Sequence, residues 1–227
     1  MKRLNSVLAA ATVCAGLAYA PAAGAAELTP QQVAGDAAQS TISPLEPTPE
    51  IQSKSWYKKY KDDARVEKLE ATSPAMNGRK IPLAVIRAQN ENRPTLYLLN
   101  GAGGAEQDMD WLKLSDAVDF YHEKDINVVV PQAGAFSYYT DWISEPNSRY
   151  LQGPQKWETF LTKELPGAIE KHLNADNHRA IAGMSMSATS SLLLAQHNQG
   201  FYDAVGSFAG CAATAYPLER QGIKLTV

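Results

Sequence analysis

The stretch Arg179-Ala-Ile-Ala-Gly-Met-Ser-Met-Ser-Ala188 decides the fold. A short apolar run enters a turn of small residues with Ser185 at its tip, and a helix-forming segment follows. This is the pattern of a nucleophile elbow, in which a strand turns sharply into a helix. The serine side chain then stands clear of the backbone while the next N–H faces the substrate carbonyl. Gly183, Ser187 and Ala188 are the small neighbours such a turn needs. A Gly-x-Ser triplet is common in a chain of 227 residues, so its weight depends on what surrounds it.

Working outward, the surroundings alternate between strand and helix. Thr95-Leu-Tyr-Leu-Leu99 and Asp125-Ile-Asn-Val-Val-Val-Pro131 are continuous apolar runs, as in strands buried on both faces of a parallel sheet. Helices are predicted over residues 111–122, 156–173 (restarted or kinked by Pro166) and 187–197, and a last strand over 204–208. Before them, apolar residues on either side of Ser73-Pro-Ala-Met-Asn-Gly78 predict two antiparallel strands, with Asn77-Gly78 favouring a tight hairpin. An α/β domain with a mostly parallel sheet, opened by an antiparallel hairpin, follows from this order. Ligands in such sheets bind beyond the carboxyl ends of the strands. That gathers residues 100–110, residues 132–154 and the Ser185 turn on one rim.

The ends of the chain read differently. Met1-Lys2-Arg3, an alanine-rich apolar run over 4–20 and the small residues 23–26 form a secretory signal peptide, assigned to residues 1–25. Cleavage removes Lys2 and Arg3 and no acid, so the formal charge of −3 becomes more negative by two. This argues against a nucleic-acid partner, which calls for a basic face. Val13 before Cys14 argues against a lipoprotein site, and no later stretch is apolar enough to span a bilayer. Cys211 is the one cysteine left after cleavage and is expected to be a small buried hydrophobe beside a strand. Residues 26–63, rich in Pro, Gln, Ser and Ala, are expected to be a disordered leader before the domain at 64–227. Within it, Ser55-Trp-Tyr-Lys-Lys-Tyr-Lys61 is read as a solvated segment, with docking on the domain or on an anionic surface as alternatives.

Two loops supply candidate partners for Ser185. In Leu98-Leu-Asn-Gly-Ala-Gly-Gly104 the glycines let backbone N–H groups come close to a ligand, which suits an oxyanion hole built from the Ala102 and Met186 amides. A dinucleotide fingerprint is excluded because Glu106 stands where its last glycine belongs. In Ala135-Phe-Ser-Tyr-Tyr-Thr-Asp-Trp142 aromatics stand beside an acid, which suits a sugar or acyl chain and equally a packed loop. The candidate substrate-binding residues are Asn100, Gly101, Gly103, Tyr139, Asp141 and Trp142. No cofactor or metal is expected.

Tyr97-Leu-Leu-Asn-Gly-Ala-Gly-Gly104, Ser137-Tyr-Tyr-Thr-Asp-Trp142, Lys156-Trp-Glu-Thr-Phe160, Glu164-Leu-Pro166 and Gly183-Met-Ser-Met-Ser187 occur in this order and spacing in the secreted mycolyltransferases. The chain resembles a corynomycolyltransferase-type member of that esterase family over residues 65–227. The resemblance implies an α/β-hydrolase fold and a secreted or envelope-held serine acyltransferase. Such an enzyme moves mycoloyl groups between trehalose esters, or onto cell-wall arabinogalactan, through an acyl-enzyme on Ser185. Where some relatives carry Asp-Gly-Leu-Arg in the oxyanion loop, this chain has Asn100-Gly-Ala-Gly103, lacking a carboxylate and a guanidinium that could hold a sugar.

A serine nucleophile needs a histidine within hydrogen-bond reach and a carboxylate to orient it. His122, His172 and His197 fall at or near predicted helix ends on the far rim, and His178 precedes the strand that leads to the turn. None of the four is expected to serve Ser185. The resemblance places the acid and histidine on later loops, so the last strands are expected to be missing, with an unpaired edge and impaired catalysis. A secreted carboxylesterase and a non-catalytic envelope-binding relative are the alternatives.

Overall fold

The computed structural model describes residues 38–227. A seven-stranded sheet runs through it: β1 (Ile42–Pro44), β2 (Val66–Ser73), β3 (Arg79–Ile86), β4 (Thr95–Leu99), β5 (Asn127–Pro131), β6 (Arg179–Met184) and β7 (Ala204–Phe208), in the spatial order β1-β2-β3-β5-β4-β6-β7. The first three pair antiparallel, β3 pairs antiparallel with β5, and β5, β4, β6 and β7 are mutually parallel. β4 and β5 are buried at every position, as their unbroken apolar runs predict. The hairpin closes through a 3₁₀ turn at Pro74–Met76, followed by Asn77 and Gly78 at φ 56° and 74°. These are the left-handed values that Asn and Gly tolerate best.

Side-chain alternation along the strands divides the core in two. Leu83, Val85, Tyr97, Leu99, Val129 and Ile181 face a layer built by α5 (Trp157–Thr159), α6 (Leu165–Leu173) and α7 (Met186–His197). Ala84, Ile86, Leu96, Leu98, Val128 and Val130 face the other way, toward α3 (Trp111–Leu114) and α4 (Ala117–His122). The predicted helix over 111–122 is thus two helices. Ser115 turns its hydroxyl back onto the Trp111 carbonyl at 2.6 Å and takes extended backbone angles, so a local side-chain bond ends the first helix.

The predicted kink at Pro166 takes the form of a π-helical turn at Phe160–Glu164, between α5 and α6, in which the Leu165 N–H reaches the Phe160 carbonyl. Proline has no N–H and its ring crowds the preceding turn, and widening the helix accommodates both. Glu164, buried in that turn, accepts the Ser73 hydroxyl at 2.5 Å and the Ala75 N–H at 2.7 Å, tying the helix to the hairpin.

The leader reading requires correction. Residues 1–37, with the signal peptide, lie outside the described residues, but residues 38–63 are not a disordered spacer. β1 adds a strand beside β2, and α1 (Pro49–Ser53) is capped by the Thr48 hydroxyl. α2 (Ser55–Tyr60) buries Trp56 and Tyr60 against Leu112 and Val118. A spacing of four residues puts both rings on one helix face. The aromatic and lysine-rich segment therefore docks on the domain and covers part of one sheet face.

At the other edge, β7 is the outermost strand among the described residues, with Val205 and Phe208 exposed. α8 (Pro217–Thr226) follows and buries none of its side chains. Cys211 is half-exposed rather than buried: its N–H donates to Thr189 Oγ1 at 2.9 Å, and its thiol faces the Ala213 carbonyl.

Candidate active site

Ser185 sits between β6 and α7 at φ 54°, ψ −118°. A non-glycine residue held in so sparse a region costs on the order of 1–3 kcal/mol, and such strain persists only where the surroundings enforce it. Here Ser187 enforces it. Its hydroxyl accepts the Met184 N–H at 2.9 Å and donates to the Leu99 carbonyl at 2.9 Å, stapling the turn to β4. The Ser185 N–H donates to Phe208 at 2.9 Å, and the Ala188 N–H returns to the Ser185 carbonyl at 3.2 Å.

The Ser185 side chain is exposed, and among the described residues its Oγ makes no hydrogen bond. A side chain on Gly183 would run into the Ser187 backbone carbonyl and hydroxyl. Gly183→Ala is therefore expected to destabilise the fold by about 1–3 kcal/mol through overpacking. A urea midpoint unchanged from wild type would show that the turn yields.

Gly101 lies against this turn, since a Cβ there would come 3.9 Å from Ser185 Cβ. That brings the neighbouring Ala102 to the serine's side of the rim. Met186 opens α7, so its N–H has no acceptor within the helix, and Ala102 N–H donates to no backbone carbonyl among the described residues. The two amides anticipated for an oxyanion hole thus stand on loops that meet at Ser185.

Other anticipated residues hold the rim together from beneath. Asn100 is fully buried; it donates to the Pro131 carbonyl at 2.9 Å and accepts the Trp111 N–H at 3.1 Å, joining β4, β5 and α3. Tyr139 is fully buried too, with its hydroxyl on the Ala133 carbonyl at 3.2 Å and its ring edge-on to Trp157. Burial pushes its phenol well above the usual tyrosine range. Asp141 accepts the Thr159 N–H at 3.1 Å and hydroxyl at 2.6 Å, fixing the start of α5. Gly103 packs on Gln107 and Met109.

Trp142, half-buried with its indole N–H on the Ser137 carbonyl at 2.9 Å, lines a groove of about 530 Å³. Tyr138, Ile143, Leu193 and Ile223 make that groove mainly apolar, and Thr189, one helical turn beyond Ser185, brings it toward the nucleophile position. Phe136, Tyr138 and Tyr139 all have positive φ, so the loop carrying these aromatics is itself strained.

Three partners of the site were not legible as such. Glu106, noted in the sequence only for spoiling a dinucleotide fingerprint, accepts the Gly134 and Ala135 N–H groups at 2.7 and 3.0 Å and so joins the two rim loops. Burial pushes its carboxyl above the usual range. Residues of the supposed leader brace the same loop: Ser55 N–H donates to Asp108 at 2.8 Å and Lys54 Nζ to the Glu106 carbonyl at 3.3 Å. Gly210 sits where a Cβ would strike Ala188 Cβ at 2.5 Å, which leaves room for the start of α7.

The histidines are engaged elsewhere. His172 pairs with Glu67 at 2.9 Å, His178 with Asp203 at 3.0 Å and His197 with Glu158 at 3.2 Å. His178 lies at the opposite end of β6 from Ser185, and His197 ends α7. His122 closes α4, and its Nδ1 is buried without a partner.

A mostly parallel sheet, a strained serine at a strand-to-helix turn and two free amides beside it define a protein of the α/β-hydrolase class. Residues 73–219 match the Esterase family. The chain belongs to that family, and within it is similar to the mycolyltransferases. It is 34% identical over 147 residues to the diacylglycerol acyltransferase/mycolyltransferase Ag85A of Mycobacterium tuberculosis, a match covering 64% of this chain and 43% of that protein. Ag85B of Mycobacterium leprae is 31% identical over 163 residues, covering 71% of this chain and 49% of its own length. The chain thus spans less than half the length of these curated relatives. Among solved structures, Mycobacterium tuberculosis MPT51 (FbpC1) superposes with a TM-score of 0.60 at 27% identity, over 70% of this chain and 56% of that one. The Staphylococcus aureus serine hydrolase FphF, at 13% identity and a TM-score of 0.52, shares the fold.

Proposed function

We propose that Ser185 is the nucleophile of an acyl transfer, with the Ala102 and Met186 N–H groups as oxyanion donors. The observation that carries this is the positive φ of Ser185, enforced by Ser187 and Gly183 and set against Gly101. In the reaction the Ser185 oxygen adds to an ester carbonyl, and its proton ends on the oxygen of the departing alcohol. The two amides hold the tetrahedral oxyanion, and the alcohol leaves as the acyl-serine forms. A sugar hydroxyl or water then takes the acyl group. The apolar groove beside Thr189 suits a long acyl chain. With the relatives named as mycolyltransferases, this supports mycoloyl transfer between trehalose esters, or onto cell-wall arabinogalactan, by a protein exported through its signal peptide. No helix among the described residues is long and apolar enough to cross a membrane.

None of the four histidines takes the Ser185 proton, because three are hydrogen-bonded to carboxylates away from the rim and His122 closes α4. That geometry favours a second reading, a pocket that binds acyl-sugar ligands without turning them over.

Acylation by a 4-nitrophenyl ester, with imidazole supplied as an external base and the adduct located by mass spectrometry, tests both. The chain alone is expected to acylate slower than a complete triad by roughly 10⁴-fold or more. Added imidazole is expected to place the acyl group on Ser185 and nowhere else, and Ser185→Ala to abolish the adduct. Acylation at another residue, or undiminished in the alanine variant, would sink the nucleophile assignment. Rapid labelling without imidazole, lost on replacing one of the histidines by glutamine, would show that a histidine does reach the serine.

A further inference from the structure

A second cavity, of about 410 Å³ and mainly polar, is lined largely by residues 133–135 and 149–157. Two guanidiniums line it, Arg79 at the start of β3 and Arg149 in the loop, together with Tyr150, Gln152 and Gln155. Arg79 is held by the Gln152 carbonyl and by Gln155 Oε1 at 3.3 Å. Arg149 is exposed, and its guanidinium lies over the Tyr150 ring at 5.2 Å.

Among the described residues neither arginine has a carboxylate within ion-pair distance, although the chain as a whole carries net negative charge. Glu106 is the one acid in the wall. Its Oε1 is committed to the Gly134 and Ala135 N–H groups and its Oε2 is buried. Burial pushes this carboxyl up from its ordinary range. Burial likewise lowers Arg79, the mark of a partly desolvated cation with no anion beside it. A guanidinium fork in such a place matches a carboxylate or phosphate, and the half-buried Tyr150 ring, tilted at 42° to Phe136 with centroids 5.2 Å apart, offers apolar surface to a sugar ring.

We propose that the cavity between Arg79 and Arg149 binds an anionic sugar, its phosphate or carboxylate on the two guanidiniums and its ring against Tyr150. The site adjoins the Ser185 rim. Glu106 ties the cavity wall to the loop bearing Ala102, and Phe136 N–H donates to the Ala102 carbonyl at 2.8 Å. The inference rests on the cavity alone and stands whether or not Ser185 is a nucleophile.

Titration calorimetry on the chain described here, with glucose 6-phosphate, glucuronate, glucose and inorganic phosphate as separate ligands, tests it. At least one of the two anionic sugars is expected to bind about tenfold or more tighter than glucose and than inorganic phosphate, the scale of one charge-assisted contact. Whichever of the two binds tighter identifies the anion as phosphate or carboxylate. Arg149→Gln, at an exposed position whose loss leaves the fold intact, is expected to remove most of that preference, as is Arg79→Gln where its thermal unfolding matches wild type. Ser185→Ala is expected to bind as wild type does. Equal affinity for glucose and the anionic sugars, inorganic phosphate binding as tightly as the tighter of the two anionic sugars, no saturable binding, or an Arg149→Gln variant that binds unchanged would each overturn the proposal.

Discussion

Replacing Trp56 by alanine is expected to cost about 3–5 kcal/mol of stability, the range for deleting a buried aromatic. Trp56 is 1% exposed, and its ring fills the space between α2 and the sheet together with Leu45, Tyr60, Leu112 and Val118. Few compensations are open to this site, because α2 is a helix of only six residues that docks mainly through this side chain and Tyr60. A typical domain is stable by about 5–15 kcal/mol, so the loss takes a large part of the total.

The loop on the candidate rim is expected to loosen as well. The Ser55 N–H on Asp108 and Lys54 Nζ on the Glu106 carbonyl both depend on where α2 sits. Urea unfolding of Trp56→Ala at unchanged slope measures the effect. A change within about 0.5 kcal/mol, normal for a surface position, would mean that residues 38–63 behave as the spacer their composition suggests.

The composition of that segment hides its order. Its prolines and polar residues lower the apolar density that signals an ordered element, and β1 is only three residues long. α2 docks mainly through two aromatics four residues apart, and so sparse a signal falls below what periodicity can register. By contrast β4, β5 and β6 are continuous apolar runs between turn residues, and the order of sheet and helix followed from them.

The Ser185 turn was legible because its glycine and small residues are required by backbone geometry alone, and that requirement is local in sequence. Asn100, Tyr139 and Asp141 share the rim, but their side chains point into it and are used by the Pro131 carbonyl, the Ala133 carbonyl and Thr159. Which way Asn100 and Asp141 point depends on contacts 31 and 18 residues distant, and no pattern in one chain encodes them. The same holds for Glu106, whose N–H donors are 28 and 29 residues away.

The buried pair at the opposite end of β6 sets the second large expectation. Arg179 meets Glu170 through two hydrogen bonds of 2.7 Å, with side chains 7% and 2% exposed, and Tyr97 donates its hydroxyl to the same carboxylate at 2.8 Å. Burial opposes the Arg179 charge, but the carboxylate more than offsets it and holds the guanidinium above its ordinary range. Arg179→Met is expected to cost about 3–5 kcal/mol, because it strands a carboxylate inside the protein. Arg179→Met with Glu170→Leu is expected to recover most of that loss, leaving about 1 kcal/mol for the unpartnered Tyr97 hydroxyl.

The pH dependence separates this from simple loss of packing. Burying a carboxylate without its partner disfavours the charged form, so the single variant is expected to take up a proton on folding and to lose stability as pH rises. Its deficit is then expected to shrink as the pH is lowered, while the double variant's stays flat across the same window. Urea midpoints measured from neutral to mildly acidic pH make the comparison. A single variant whose deficit is independent of pH, or a double variant no more stable than the single, would show that Arg179 contributes through its contact with the Phe201 ring, 4.6 Å away, and not by neutralising Glu170.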